Sequence, residues 1–433
     1  MRSGYLKALI SSYGYAGLNI VAQIILVPLY LRYLGKVQFG VLMMLLGYVN
    51  YTAVGINWLT GGLLRVFGTH HAAGNEVKFS HAFHLGRRVY VGYAMILGAA
   101  MLVVAWVNPG LLLGHPQGGM EFSLWWAVFA TVVYLVLFYD LSVDRVALTA
   151  IGMQHWAYFL QIAALLIYVL GAIPLLMMDG NVTQLMGLMA LGIFVALIWA
   201  KRIWPHQSFS PARSAPTNSV YRADLLKQLF GRQGLGYLVY GGIVLTMQAD
   251  VLFLGWLGGA EVAAEYVVLW KAAEVAVLML WRIPEALIPD LIRSDVAGDA
   301  KRMSTVYWTA WRWTLGLSVL GGVAYALLGK SVVGLWLGKA ALPDAPYAFL
   351  LAGVALFFLS ARQPAAIYAY ATRHFRALLS IAGLELLIKL AVLYWAYPTF
   401  GYLAPIVGLI VANLAGVYWL YGTLAPKRLA DGA

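Results

Sequence analysis

Two stretches decide how the chain is read: Val27–Gly35, VPLYLRYLG, and Asp250–Gly258, DVLFLGWLG. Laid over one another without a gap at a spacing of 223, they match at Leu29 and Leu252, Leu31 and Leu254, Leu34 and Leu257, and Gly35 and Gly258. Aromatic residues are opposed as well, Tyr30 with Phe253 and Tyr33 with Trp256. Each stretch closes an apolar run with a Leu-Gly turn. Two further matches follow in the same order at a spacing of 224: Ala73-Gly74-Asn75 with Ala297-Gly298-Asp299, and Leu113-Gly114 with Leu337-Gly338. Three ordered matches at nearly one spacing point to two halves of common descent, the second beginning near residue 228.

The composition around these stretches sets the class. Of 433 residues, 62% are hydrophobic and 11% charged, with a mean hydropathy of +0.79. A soluble chain of this size needs far more polar surface. Apolar runs of about 20 residues, enough for a helix to cross a bilayer, recur along the whole length. Twelve spans are expected, near 8–31, 38–64, 88–107, 122–142, 157–178, 183–200, 233–255, 263–289, 309–329, 346–370, 378–397 and 403–423. The fold class is therefore an all-α polytopic membrane protein. Because each half holds an even number of spans, both enter the membrane in the same direction, and two parallel six-helix repeats around a central cavity are expected. The division is 1–204 for the N-terminal bundle, 205–227 for a cytoplasmic linker rich in Ser, Pro and Arg, and 228–433 for the C-terminal bundle.

The formal charge of +12 is read as topology rather than nucleic-acid binding. With a cytoplasmic N-terminus, 21 of the 29 Lys and Arg residues fall on cytoplasmic segments or helix ends, Arg145 among them, so both termini are expected inside. The opening MRSGYLKALI reads as an uncleaved helix start. The absence of cysteine excludes a disulfide framework and thiolate metal sites. No extramembrane segment is long enough for a catalytic domain, and no enzyme activity is expected.

Ionisable groups inside spans cost about 2.5–3.5 kcal/mol each on insertion scales, so those present face a cavity or a partner. Span eight is the richest: Lys271, Glu274, Arg282 and Glu285 share one broad face and are spaced to pair as Lys271–Glu274 and Arg282–Glu285. These are either bundle-holding ion pairs or the wall of a cavity whose cations attract phosphate. Asp250, with Gln248 two residues before it, is either an ion-coupling carboxylate or a structural partner for Lys271 or Arg282. Asn19 and Gln23 in span one and Asn50 and Asn57 in span two serve helix packing or a substrate, and Arg65 snorkels or lines the cavity. Glu385 and Lys389 form an i,i+4 pair, and Arg362 precedes Pro364, where a kink can open the backbone. The segment Ala324–Ser331, AYALLGKS, imitates a phosphate loop without its opening glycine. His70, His71, His81 and His84 lack metal-site spacing, and neither metal nor cofactor is expected.

On these residues the chain resembles the Wzx-type polysaccharide (O-antigen) flippases of the multidrug/oligosaccharidyl-lipid/polysaccharide exporter superfamily. VPLYLRYLGKVQFGVLMMLLGYV looks like that family's first-helix end, turn and second-helix start; QADVLFLGWLGGAEVAAEY looks like its seventh-to-eighth junction, followed by Pro289 and the AGDAKRM loop. The resemblance implies translocation of undecaprenyl-diphosphate-linked oligosaccharide across a bacterial inner membrane by alternating access, for surface polysaccharide biosynthesis. It implies a cationic cavity, to which Lys271, Arg282 and Arg65 are carried over by position; with the residues read above, the candidate cavity set is Asn19, Gln23, Asn57, Arg65, Lys271, Glu274, Arg282, Glu285, Arg362 and Lys389, and Asp250 is the candidate for coupling to a proton or sodium ion. It implies as partners the lipid-linked oligosaccharide, membrane lipid, and polysaccharide polymerase or assembly proteins. Trp58, Trp270 and Trp281 suit sugar stacking, although interfacial belts are the commoner use of tryptophan. The alternative is a cation-coupled multidrug or small-cation exporter of the same superfamily, which would require a net acidic cavity.

Overall fold

The structure, a computed structural model, describes residues 2–113, 121–204, 223, 225–227, 235–285 and 287–426. The linker expected at 205–227 lies, apart from residues 223 and 225–227, outside that set. By internal contacts the chain divides into two compact units, Met1–Gly241 with Gly259–Glu261, and Gly242–Gly258 with Val262–Ala433. Among the described residues every regular element is a helix.

The first unit contains α1 (Arg2–Tyr33), α2 (Gly35–Ala72), α3 (Glu76–Val107), α4 (Glu121–Ala150), α5 (Gln154–Met177) and α6 (Val182–Ile203). Helix α4 is its centre, packed against α2, α3, α5 and α6, while α1 lies along α5. Two polar ties fasten α4 to its neighbours. The Arg87 guanidinium of α3 pairs with Asp140, and Trp204 Nε1, just past α6, donates to Asp144 Oδ1 at 2.6 Å. A buried cluster that includes Phe67, Phe79, Phe83, Leu135, Tyr139 and Leu160 surrounds them.

The second unit begins in α7 (Leu235–Glu285), which breaks into two arms at Gly259, φ 84°. These arms correspond to expected spans seven and eight. They are followed by α8 (Ile288–Ala297), α9 (Ala300–Leu337), α10 (Ala348–Ala361), α11 (Gln363–Ala371), α12 (Phe375–Phe400), α13 (Ala404–Ala412) and α14 (Tyr418–Thr423). The tightest pairing is α9 on α10, where Gly322 and Gly353 face each other; a methyl group on either would run into the other's carbonyl oxygen. The phosphate-loop look-alike Ala324–Ser331 lies wholly within α9, a continuous helix without the loop such a motif needs.

Eight stretches among the described residues are long and apolar enough to cross a membrane. One of them, Phe375–Thr423, holds two of the twelve expected spans. Helix α2 and the two arms of α7 hold the other three. The chain is a multi-pass helical membrane protein.

The turns repeat between the units. Left-handed residues stop helices at Gly35, Gly74, Gly152 and Asp179 in the first half of the chain, and opposite them at Gly259, Gly298, Arg373 and Gly401 in the second, where Gly338 also ends α9. The first two pairs are spaced by 224 and the later ones by slightly less. The sequence match had set Gly35 opposite Gly258. The backbone sets it opposite Gly259, because that residue is the one in the left-handed region where a Cβ is strained. After the second stop of each unit comes the same cap: Asn75 accepts from Lys78 N at 3.0 Å and Asp299 from Arg302 N at 2.9 Å.

Candidate functional site

Two polar constellations lie inside the helical units, one in each. In the second unit, Asp250 on the first arm of α7 receives Lys389 of α12, whose Nζ lies 2.8 Å from both carboxylate oxygens. The Tyr266 hydroxyl, on the second arm, donates to Asp250 Oδ2. Asp250 and Lys389 are 2% and 3% exposed, so the pair is sealed within the protein. One helical turn before Lys389, Glu385 Oε1 accepts from Arg362 Nη2 at 2.9 Å. Arg362 Nη1 also donates to Asn413 Oδ1 at 3.2 Å, and the guanidinium lies over the Tyr421 ring at 5.3 Å. The helix breaks at Arg362 because Pro364 follows, and the five-residue π turn Asn413–Val417 sets Asn413 against it.

These pairings correct the sequence reading. Asp250 is not partnered by Lys271 or Arg282; its cation is Lys389. Glu385 and Lys389, expected to pair along one helix, each reach a charge on another helix. That arrangement lets one face of α12 neutralise two buried groups from elsewhere in the unit. The span-eight pairs stand as spaced. Lys271 Nζ meets Glu274 Oε2 at 2.8 Å, with both side chains about one-fifth exposed, and Arg282 Nη1 meets Glu285 Oε2 at 2.8 Å with Arg282 largely exposed.

Of the remaining expected site residues, Asn19 accepts from Gln23 Nε2 at 2.6 Å, and Arg65 is exposed. The side chains of Asn57 and Trp58 lie outside the described ones. Trp270 is buried and stacked on Tyr266. Trp281 is buried with Nε1 donating to Leu359 O at 3.1 Å, so neither ring offers an open face to a sugar. Among the described residues no group of His, Asp or Glu is arranged to hold a metal ion.

The first unit holds the constellation the sequence reading missed. A cavity of ≈ 350 Å³ between α2, α3, α4 and α5, and a smaller one of ≈ 150 Å³ reaching α1 and α6, share Phe138, Arg145 and Gln161. Arg145 had been counted as a topology signal at a helix end. In the fold its side chain lines both cavities, and its Nε is shut off from solvent without a hydrogen-bond partner. A signal was available: Ser142, Arg145 and Thr149 are spaced by 3 and 4, a polar stripe on one helix face. Tyr266, Asn413 and Tyr421 were also missed; Asn413 is a lone amide in an apolar run.

No protein-family model matches the chain, and no curated protein matches it by sequence. Solved structures do match it in fold. An inward-facing multidrug resistance MATE family transporter of the MOP superfamily superposes with a TM-score of 0.74 at 12% identity, over 95% of this chain and 96% of that one. The lipid II flippase MurJ, in an inward closed conformation, gives 0.70 at 12% identity over 96% and 87%. The MATE multidrug transporter DinF-BH gives 0.68 at 12% identity over 98% and 94%. At this identity the likeness is one of fold. The chain therefore has the polytopic helical architecture shared by MATE transporters and the MurJ flippase.

Proposed function

We propose that the chain is a flippase that carries a polyprenyl-diphosphate-linked oligosaccharide across a bacterial inner membrane by alternating access, with both termini in the cytoplasm. The observation that carries this reading is the neutralisation of acid in the second unit. Asp250, Glu274, Glu285 and Glu385 each hold a Lys or Arg at 2.8–2.9 Å. An exporter of cationic drugs binds its cargo through unneutralised carboxylate, and these four carboxylates are already occupied. Lys271 and Arg282, partly open to solvent, are the groups assigned to the diphosphate, whose oxygens they take in exchange for Glu274 and Glu285.

The coupling role of Asp250 takes a narrower form in this proposal. Lys389 donates to Oδ2, while Oδ1, 2.8 Å from the ammonium, is buried without a hydrogen bond, so a proton or sodium ion bound at Asp250 competes with Lys389 for the same carboxylate. The fold likeness to multidrug transporters keeps cation export as the competing reading. Reconstitution separates the two. Proteoliposomes are given a labelled polyprenyl-diphosphate oligosaccharide or a cationic dye under an imposed ion gradient. Lipid translocation by wild type, slowed in Lys271→Ala and Arg282→Ala, supports the flippase; dye expulsion without lipid movement replaces it with the exporter.

A further inference from the structure

We propose that the cavity inside the first unit is a binding site for a phosphate group carried on a larger molecule, with the Arg145 guanidinium as its anchor. The inference rests on this cavity alone and stands apart from the flippase reading.

Several polar side chains around Arg145 are already engaged. Ser142 donates to Phe138 O at 2.8 Å, Thr149 to Arg145 O at 2.8 Å and Gln161 to Ala157 O at 3.3 Å. Thr60 is bonded to the Tyr90 hydroxyl at 2.8 Å. The Arg145 Nε is buried and has no acceptor, the side chain as a whole being half-buried, and among the described residues no carboxylate pairs with Arg145. The side chains lining the two cavities with it include the phenols Tyr15, Tyr90, Tyr134 and Tyr158 and, among the described residues, no carboxylate. A guanidinium placed in an apolar membrane unit without a counter-anion is an expensive feature. The chemistry that relieves it is a bound oxyanion.

Guanidinium favours phosphate because its planar fork gives two parallel N–H bonds to two oxygens. The cavity of ≈ 350 Å³ is larger than a bare phosphate needs and falls within the range of small-molecule pockets, about 300–1,000 Å³. Its walls, Tyr90, Phe138, Tyr139 and Tyr158, are aromatic and suit an organic moiety esterified to the anion. Thr149 and Gln154 flank the Gly152 turn between α4 and α5, so the cavity runs from the end of the bundle inward.

The test is ligand-dependent thermal stability of the full-length protein in nanodiscs of neutral lipid, read by tryptophan fluorescence. One arm adds inorganic pyrophosphate to the buffer; the other dopes the nanodisc with a polyprenyl phosphate. Wild type, Arg145→Gln and Arg145→Lys are compared, with chloride at equal ionic strength as the control. Wild type is expected to gain melting temperature in at least one arm, and which arm responds distinguishes a soluble from a lipid-borne phosphate. Arg145→Gln should lose the gain while melting no lower than wild type without ligand, because it removes an unpaired charge. Arg145→Lys keeps the charge without the fork and should bind about tenfold more weakly. The proposal is overturned if neither arm shifts wild type, if chloride shifts it equally, if Arg145→Gln responds as wild type does, or if Arg145→Gln melts lower than wild type in the absence of ligand.

Discussion

Lys389 serves Asp250 with both carboxylate oxygens at 2.8 Å, and the consequences of that arrangement are sharpest when one partner is removed. Lys389→Met leaves a sealed carboxylate without its cation, which costs about 3–5 kcal/mol in comparable buried pairs. We expect a large loss of folded yield and melting temperature by size-exclusion and thermal-shift assays. The double variant Asp250→Asn with Lys389→Met removes both charges and should recover most of that loss. If the double variant is no better than the single one, the ammonium acts on something besides Asp250. The same pair marks the limit of sequence reading at this scale. Lys271–Glu274 and Arg282–Glu285 were legible because their partners sit three residues apart on one helix. Asp250 and Lys389 are separated by 139 residues, and nothing in the local pattern of either span names the other. Arg145 was obscured for a different reason. A basic residue near a helix end satisfies the positive-inside rule whether it faces the cytoplasm or a cavity, and only the stripe with Ser142 and Thr149 separates the two.

Helices in both units are stopped and restarted by the same local chemistry. The left-handed stop at Gly74 or Gly298 is followed by an Asx side chain that satisfies a free N–H of the next helix. Asn75→Ala and Asp299→Ala should therefore destabilise by similar amounts, about 1 kcal/mol each, measured as matched shifts in denaturation midpoint. An unequal pair of shifts would show that one cap has acquired a second role. Arg373 breaks the pattern. It occupies the left-handed conformation, φ 62°, where the first unit has Gly152, so Arg373→Gly should relieve strain and leave stability unchanged or slightly raised. Gly353→Ala, by contrast, places a methyl group against the Gly322 carbonyl and should cost about 1–3 kcal/mol, the usual penalty of overpacking. These stops were the legible part of the fold, since Gly and Asx signals act within a few residues. The one-residue misplacement at Gly258 arose because two glycines are adjacent and only the backbone shows which of them is left-handed.

Across the whole molecule the scaffold repeats while its charges do not. At a spacing of 224 Asp250 falls opposite Leu26, and with the somewhat shorter spacing of the later turns Arg145 falls opposite Ala366 or Ile367 of α11. Each unit thus carries its own polar interior on common architecture. The orientation proposed for that architecture is directly measurable, because the chain contains no cysteine and single cysteines can be introduced without a background. Ala73→Cys and Lys301→Cys should react with a membrane-impermeant thiol reagent only after the membrane is opened, whereas Met178→Cys and Lys339→Cys should react in intact spheroplasts. The reverse pattern would invert the topology. The distance along the chain between Asp250 and Lys389 also has a meaning in time. At about 5–20 residues per second, 139 residues take on the order of ten seconds to emerge. During that interval Asp250 has entered the membrane and the helix bearing its cation does not yet exist. The nascent chain must keep that carboxylate protonated or wetted at the insertion machinery, so the second unit closes only when α12 arrives. A ribosome stalled just before residue 389 would hold an intermediate with an uncompensated acid, and the order of synthesis becomes a checkpoint on assembly.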